Sequence, residues 1–198
     1  MSSNRLLATL FAAVLAVSLT LSSSTAFAKD TYSKRLDLNS KGVEYYNSGD
    51  YVKAIETFEK AQNISADDIA SLNNLGTVYL KLNEREKALK YFVKSIKLFK
   101  PDDSPFHKAL IANAYNLRGV LYFKEADYES AFENFVEAFK LNRNDDSVLS
   151  NLVTIYRETN YRDAEDWKTL GKAYYDIEDY DKAVECYKEA FEHSTALS

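Results

Sequence analysis

Cysteine occurs once in 198 residues, proline twice, glycine five times and tryptophan once. A single cysteine excludes an intramolecular disulfide, so the fold must be held by its apolar core. The scarcity of proline and glycine, together with the lack of sustained apolar–polar alternation, favours helices over strands. The sequence also lacks a phosphate-binding glycine loop and a nucleophile elbow, and its two histidines have no metal ligands at suitable spacing. We therefore predict no catalytic residue, no metal, no cofactor and no enzyme activity.

Positive charge is not in surplus. The formal net charge is −5, whereas a protein that grips a phosphate backbone needs a basic stripe. We expect no nucleic-acid partner.

Residues 1–28 have the layout of a cleavable signal peptide. A basic start ending at Arg5 precedes the apolar run 6–21, and residues 26–28 form an A-x-A cleavage signal before Lys29. The run is shorter than the ~20 residues that span a bilayer, so we expect no stable membrane span after cleavage. The predicted location is an exported one, in the bacterial periplasm, with secretion as the alternative.

The most complete motif lies near the C-terminus. It reads W-x₂-L-G-x₂-Y and is followed by a small and an aromatic residue: Trp167, Leu170, Gly171, Tyr174, Ala183 and Tyr187. Less complete copies stand upstream, each with glycine at the same place: Gly42, Gly76 and Gly119. The first two of these glycines are 34 residues apart. The pattern resembles the tetratricopeptide repeat (TPR), a 34-residue helix–turn–helix unit in which small residues let two helices approach closely.

The resemblance implies an all-α TPR solenoid, a right-handed superhelix of about eight or nine helices. After a polar lead-in at 29–34, the TPR domain would cover 35–195, with repeats at about 35–68, 69–102, 112–145, a partial repeat at 146–163 and a last repeat at 164–197. A second interpretation stays open, in which helix 164–175 completes the partial repeat and the final helix is a cap. Nine additional residues precede the third repeat and should lengthen its first helix backwards, with Ser104 as cap and Pro105 at the first helical position.

In TPR proteins the first helices of successive repeats line a concave groove, and helix positions 2, 5, 6, 9, 12 and 13 tend to face it. Asparagine recurs at these positions although it is a poor helix former, and its amide can pair with both the N–H and the C=O of an extended peptide. The predicted groove residues are Asn39, Tyr46, Asn73, Asn74, Thr77, Asn113, Asn116, Phe123 and Asn151. The aromatics at position 12 supply either side-chain pockets or core.

The predicted function is therefore a protein-interaction module that binds an extended peptide or protein segment in its groove. Of the positions with which chaperone-binding TPR domains grip a terminal carboxylate, only Asn74 matches, so chaperone tails are not the expected ligand. The alternative is an assembly or scaffold role through the convex face or the last repeat, where Tyr187 and Phe191 would be exposed, with a homodimer as one outcome.

Overall fold

The computed structural model describes Thr25, residues 27–159 and residues 164–195. Over those ranges the chain forms nine helices and no strand, which confirms the predicted all-α class. The first helix, α1, covers residues 27–47. The others are α2 (Tyr51–Ile64), α3 (Ile69–Lys81), α4 (Arg85–Ile96), α5 (Pro105–Lys124), α6 (Tyr128–Leu141), α7 (Asp146–Glu158), α8 (Ala164–Asp176) and α9 (Tyr180–Thr195). The predicted signal peptide lies almost wholly outside the described residues.

The chain divides into two compact units, Met1–Asp68 and Ile69–Ser198. In the first unit, α1 and α2 form a helical hairpin in which Gly42 faces the ring of Phe58. The segment 29–34, predicted as a polar lead-in, is helical and belongs to α1. Its side chains are mostly exposed, and the Thr31 hydroxyl donates to the Phe27 carbonyl at 3.0 Å. A polar segment can extend a helix in this way without contributing to the core.

In the second unit, three helix pairs form hairpins: α3 with α4, α5 with α6, and α8 with α9. Each hairpin closes where a glycine of the first helix meets an aromatic ring of the second. A Cβ atom added at Gly76 or Gly119 would stand 2.5 Å or 2.7 Å from the facing phenylalanine ring. Glycine at these sites therefore serves close helix approach.

The last hairpin bears on the two interpretations of residues 146–175. A Cβ atom at Gly171 would stand 2.7 Å from the Tyr187 ring, which repeats the contact of the earlier hairpins. Helix α7 packs against α6 and, less extensively, against α8. Helices α8 and α9 thus pair in the same way as the earlier hairpins, and the assignment of α7 to a half repeat stays a prediction.

One turn geometry joins the helices of the four hairpins in the described ranges. The residue two places before the second helix has a positive φ: 81° at Gly49, 60° at Asn83, 59° at Ala126 and 65° at Glu178. The N–H of the following residue donates to a tyrosine carbonyl five residues earlier, at 2.8–3.1 Å. This is the Schellman motif, which ends the first helix and satisfies its last carbonyls.

The second helix then begins at once. The carboxylates of Asp50, Asp127 and Asp179 each accept the backbone N–H three residues on, which satisfies one of the open donors at a helix start. Of the four turn residues with positive φ, only Gly49 is a glycine, so the sequence indicated this turn at that position alone.

Helix α5 is 20 residues long because the insertion before the third repeat is helical from Pro105 onward. Ser104 caps it, its Oγ accepting the His107 N–H at 3.3 Å. The predicted cap and the backward extension of this helix are both confirmed.

Candidate functional site

Position 5 of the first three repeats is asparagine, and all three of these side chains are buried. Asn39, Asn73 and Asn116 are exposed by 8%, 2% and 6%. Each uses its amide N–H inside the protein. The Nδ2 of Asn39 donates to the Asp68 carboxylate at 2.8 Å, and the Nδ2 of Asn73 donates to the Leu110 carbonyl at 2.6 Å.

The third of these asparagines belongs to a longer hydrogen-bonded chain. Asn116 Nδ2 donates to the Ser147 hydroxyl at 3.3 Å, and that hydroxyl donates to Asp145 at 2.6 Å. Asn116 Oδ1 accepts from Asn151 Nδ2 at 2.8 Å. The amide of Asn116 thus joins α5 to the start of α7.

The three acceptors share a location. Asp68 directly precedes α3, Leu110 lies in the first two turns of α5, and Ser147 is the second residue of α7. Each position-5 asparagine therefore holds the segment that starts the next first helix. Since side chains buried to this extent are closed to an external ligand, we leave Asn39, Asn73 and Asn116 out of the proposed binding surface.

The remaining amides reach solvent. Helices α3, α5 and α7 lie side by side, because α3 packs against α5 and the Asn116 network joins α5 to α7. Asn113 is exposed, and Asn74, Thr77 and Asn151 are half-buried. Asn113 and Asn116 are one turn apart and share a side of α5, so the exposed amide lies next to the buried one. We call the solvent-facing residues of α3, α5 and α7 at the predicted groove positions the first-helix face.

Two lysines stand at the C-terminal end of this face. Lys81 of α3 and Lys124 of α5, both at repeat position 13, are exposed. Between the ends of the two helices lies a pocket of about 100 Å³, lined by Leu80, Asn83, Arg85, Leu121, Lys124 and Glu125. Arg85 forms an ion pair with Glu125 at its rim. The face thus combines amides, a small pocket and positive charge.

The position-12 aromatics pack within their own hairpins. The ring of Tyr46 lies 5.7 Å from that of Tyr51, and the ring of Phe123 lies 5.4 Å from that of Tyr128. Tyr51 and Tyr128 are the first residues of α2 and α6. Tyr46 and Phe123 are half-buried and pack across the turn between two helices. The spacing of five residues between the paired aromatics is the sequence feature that could have predicted this contact.

Groups suited to catalysis or metal binding do not converge in the described parts of the chain. There, no three His, Cys, Asp or Glu side chains come together as a metal site. Burial raises the pKa of the Cys186 thiol to about 11, so the thiol stays protonated near neutral pH and is a poor nucleophile. In the same ranges, none of the helices has both the length and the apolar character needed to cross a membrane.

Helical hairpins that recur along the chain, each closed by a glycine against an aromatic ring, define a helical-repeat protein. One Tetratricopeptide repeat family model matches residues 36–101 and 67–144, and another matches residues 164–194. The chain belongs to the tetratricopeptide repeat family.

Solved structures support the same fold. The chain resembles the Sgt2 TPR domain from Aspergillus fumigatus at 24% identity and a TM-score of 0.55, over 63% of this chain and 78% of that one. It resembles the first TPR of Spaghetti (RPAP3), bound to an HSP90 peptide, at 22% identity and a TM-score of 0.53, over 63% and 92%. The MamA protein matches at 20% identity with a TM-score of 0.51, over 80% and 91%. No curated protein sequence matches the chain.

Proposed function

We propose that the protein is an interaction module that binds an extended segment of another protein on the first-helix face. The observation that carries this proposal is the exposed Asn113 beside the half-exposed Asn74 and Asn151, on three adjacent helices. Two structural neighbours carry peptides, since the first TPR of Spaghetti is bound to an HSP90 peptide and the second TPR of human RPAP3 to an HSP70 peptide. A fold shared with these peptide-bound proteins makes peptide binding the first hypothesis for this chain.

The chemistry of the face suits a peptide backbone. An exposed amide such as that of Asn113 offers two donors and one acceptor, so it can pair with a peptide N–H and C=O at once. The buried hydrogen bonds of Asn73 and Asn116 join α3 to α5 and α5 to α7, so the helices that carry the exposed amides are positioned before a ligand arrives. Preorganisation of this kind lowers the ordering cost of binding. We expect affinities on the order of micromolar, as for a segment held by backbone pairing and a few side-chain contacts.

The ligand should differ from a chaperone tail. The positions at which chaperone-binding TPR domains present their charged clamp carry Asn39, Val43, Asn113 and Leu117 here, and only Asn74 matches. Lys81 and Lys124 supply positive charge at another position along the face. The proposed ligand is therefore an extended segment read chiefly through its backbone.

The proposal includes export. The signal-peptide layout of residues 1–28 supports a protein that works outside the cytoplasm, in the periplasm or after secretion. Mass spectrometry of the protein isolated from its own cells should find a chain that begins at Lys29. A chain that retains residues 1–28 in the mature fraction would contradict export by cleavage.

The binding face is tested with peptides selected from a random display library on the purified protein. Titration calorimetry then compares the wild type with Asn74→Ala/Asn113→Ala, two changes at the face that leave the buried amides intact. We expect a loss of about tenfold or more, since each net hydrogen bond contributes about 1 kcal/mol. Circular dichroism should show unchanged helicity.

The matched control is Asn63→Ala, an exposed asparagine in the last turn of α2. It should bind the selected peptides as the wild type does. Unchanged affinity in the double variant, or an equal loss in the control, would remove the first-helix face as the binding surface.

A further inference from the structure

The outward surface of the last helix carries an apolar patch. Val184, Tyr187 and Phe191 of α9 are exposed by 51%, 41% and 69%. Together with Lys188 and Glu192 they line a shallow depression of about 300 Å³. The five residues are spaced three and four apart, so they share one side of the helix. We call this surface the α9 patch.

The same positions are covered in the preceding hairpins. Phe92 of α4 and Phe135 of α6, which correspond to Tyr187, are exposed by 0% and 1%. Helix α4 packs against α5 and α6 packs against α7, the first helices that follow them. Phe132, which corresponds to Val184, has its ring 5.6 Å from that of Tyr156 in α7. At these positions the protein's own architecture places a second amphipathic helix.

The neighbours of α9 lie elsewhere. Among the described helices it packs against α8. It is joined to α7 by two ion pairs, Lys182 with Asp146 at 2.8 Å and Arg157 with Glu185 at 3.1 Å. These contacts leave Tyr187 and Phe191 exposed where the earlier hairpins have a helix.

We propose that the α9 patch binds the α9 patch of a second copy of this chain, with the two helices antiparallel about a two-fold axis. The argument for a second copy is the complementarity of the patch to itself. A two-fold axis near Glu189 places Tyr187 opposite Phe191 of the other copy. In an antiparallel pair of identical helices, facing residues lie at equal distances on either side of the axis, and Tyr187 and Phe191 each lie two residues from Glu189. The same axis brings Lys188 within about two residues, or ~3 Å along the helix, of the other copy's Glu192. Both contacts then occur twice, as an isologous interface requires.

The size of the patch sets the strength of the interaction. Aromatic side chains carry about 150–250 Å² each, so the three apolar residues expose on the order of 300 Å² per copy. Two copies would cover about 600 Å², which is half of the ~1,200 Å² at the lower end of stable interfaces. The dimer should therefore be weak and concentration-dependent, with a Kd on the order of 100 μM.

The first experiment is sedimentation equilibrium of the purified protein over a concentration series that crosses this range. The wild type should move from the mass of one protomer towards that of two. Phe191→Glu should stay a protomer, since it places a charge in the patch of both copies. Phe106→Glu is the matched control, because Phe106 has the same exposure of 69% at the start of α5. It should dimerise as the wild type does.

The second experiment uses charge reversal, which tests the identity of the occupant. Lys188→Glu alone places two carboxylates together across the interface, and Glu192→Lys alone places two ammonium groups together, so each variant should dimerise less than the wild type. An equimolar mixture of the two should form heterodimers in which both contacts pair a carboxylate with an ammonium group. These heterodimers should bind roughly tenfold tighter than either variant binds to itself. The double variant Lys188→Glu/Glu192→Lys should recover the wild-type dimer.

Three results would overturn the proposal. One is a wild type that stays a single protomer at the highest soluble concentration. The same conclusion holds if the wild type, but not Phe191→Glu, then captures a different protein from a cell extract. Another is a dimer that survives Phe191→Glu. The third is a mixture of the charge variants that associates no better than its components.

Discussion

The same added methyl group should destabilise the protein at one glycine and not at a second, equivalent glycine. Gly76 and Gly171 occupy the same repeat position, and a Cβ atom would meet an aromatic ring at 2.5 Å and 2.7 Å. The rings differ in their freedom to move. Phe92 is fully buried, whereas Tyr187 is 41% exposed. We predict that Gly76→Ala destabilises the protein and that Gly171→Ala does not.

The magnitudes follow from two opposing terms. Alanine in a helix interior is favoured over glycine by about 1 kcal/mol. At Gly76 the methyl group must displace a ring that has no space around it, and overpacking of a core costs about 1–3 kcal/mol. The net expectation for Gly76→Ala is a loss of up to about 2 kcal/mol in the free energy of unfolding. At this chain length the upper value corresponds to a fall of roughly 4–8 °C in Tm.

At Gly171 the Tyr187 ring can rotate towards solvent, so the steric cost is small and the helix preference decides. Gly171→Ala should therefore be neutral or stabilise by up to about 1 kcal/mol.

The assay is urea unfolding followed by circular dichroism, with hydrogen exchange to read individual hairpins, because repeat proteins can open hairpin by hairpin. The amides of α3 should lose protection in Gly76→Ala, and those of α8 should keep it in Gly171→Ala. Gly76→Ala/Phe92→Leu serves as the control, since leucine removes the ring atoms that the methyl group meets. The double variant should lose less than the sum of the two single changes. Equal losses at Gly76 and Gly171, or a stabilised Gly76→Ala, would refute the argument from ring mobility.

Two further predictions concern the hydrogen bonds of the buried asparagines, which we call the asparagine ties, and the turns within the hairpins. Asn116→Ala should lower the free energy of unfolding by about 1–3 kcal/mol, because it leaves Ser147 and Asn151 without a shared partner, and urea unfolding checks this against the exposed Asn63→Ala. Ala126→Gly should raise the free energy of unfolding by about 0.5–1 kcal/mol, since φ at Ala126 is 59° and a left-handed residue with a side chain is strained by about 1–2 kcal/mol, part of which glycine loses again through its flexible unfolded state. An unchanged Tm in Ala126→Gly would show that this turn is unstrained.

The sequence predicted the helices and the close contacts within hairpins because both depend on local spacing. Glycine at position 8 and an aromatic at position 24 recur together, and the structure brings Gly76 to Phe92 and Gly119 to Phe135. The cap at Ser104 was equally local. Features of this kind need only the order of residues along one helix or turn.

The candidate site was less accessible to sequence because its asparagines act over long separations. The acceptors of Asn39, Asn73 and Asn116 lie 29, 37 and 31 residues away, and no regular period connects them. Family position rules placed these side chains in a groove, whereas the structure buries them. The recurrence of asparagine at one position in three repeats was a real signal, but an interior hydrogen bond explains it as readily as a ligand does. The left-handed turns at Ala126 and Glu178 could not be predicted for another reason, since neither alanine nor glutamate favours a positive φ.

The buried asparagine ties also bear on how such a chain can change its length. The three amides donate to a carboxylate at Asp68, a backbone carbonyl at Leu110 and a hydroxyl at Ser147. Each hydrogen bond therefore requires an acceptor oxygen but no particular residue type. Nine additional residues before the third repeat moved the acceptor to a new place in the sequence without removing it. The hydrogen bond of Asn73 therefore coexists with this insertion, because a backbone oxygen of the lengthened helix lies within reach of the amide.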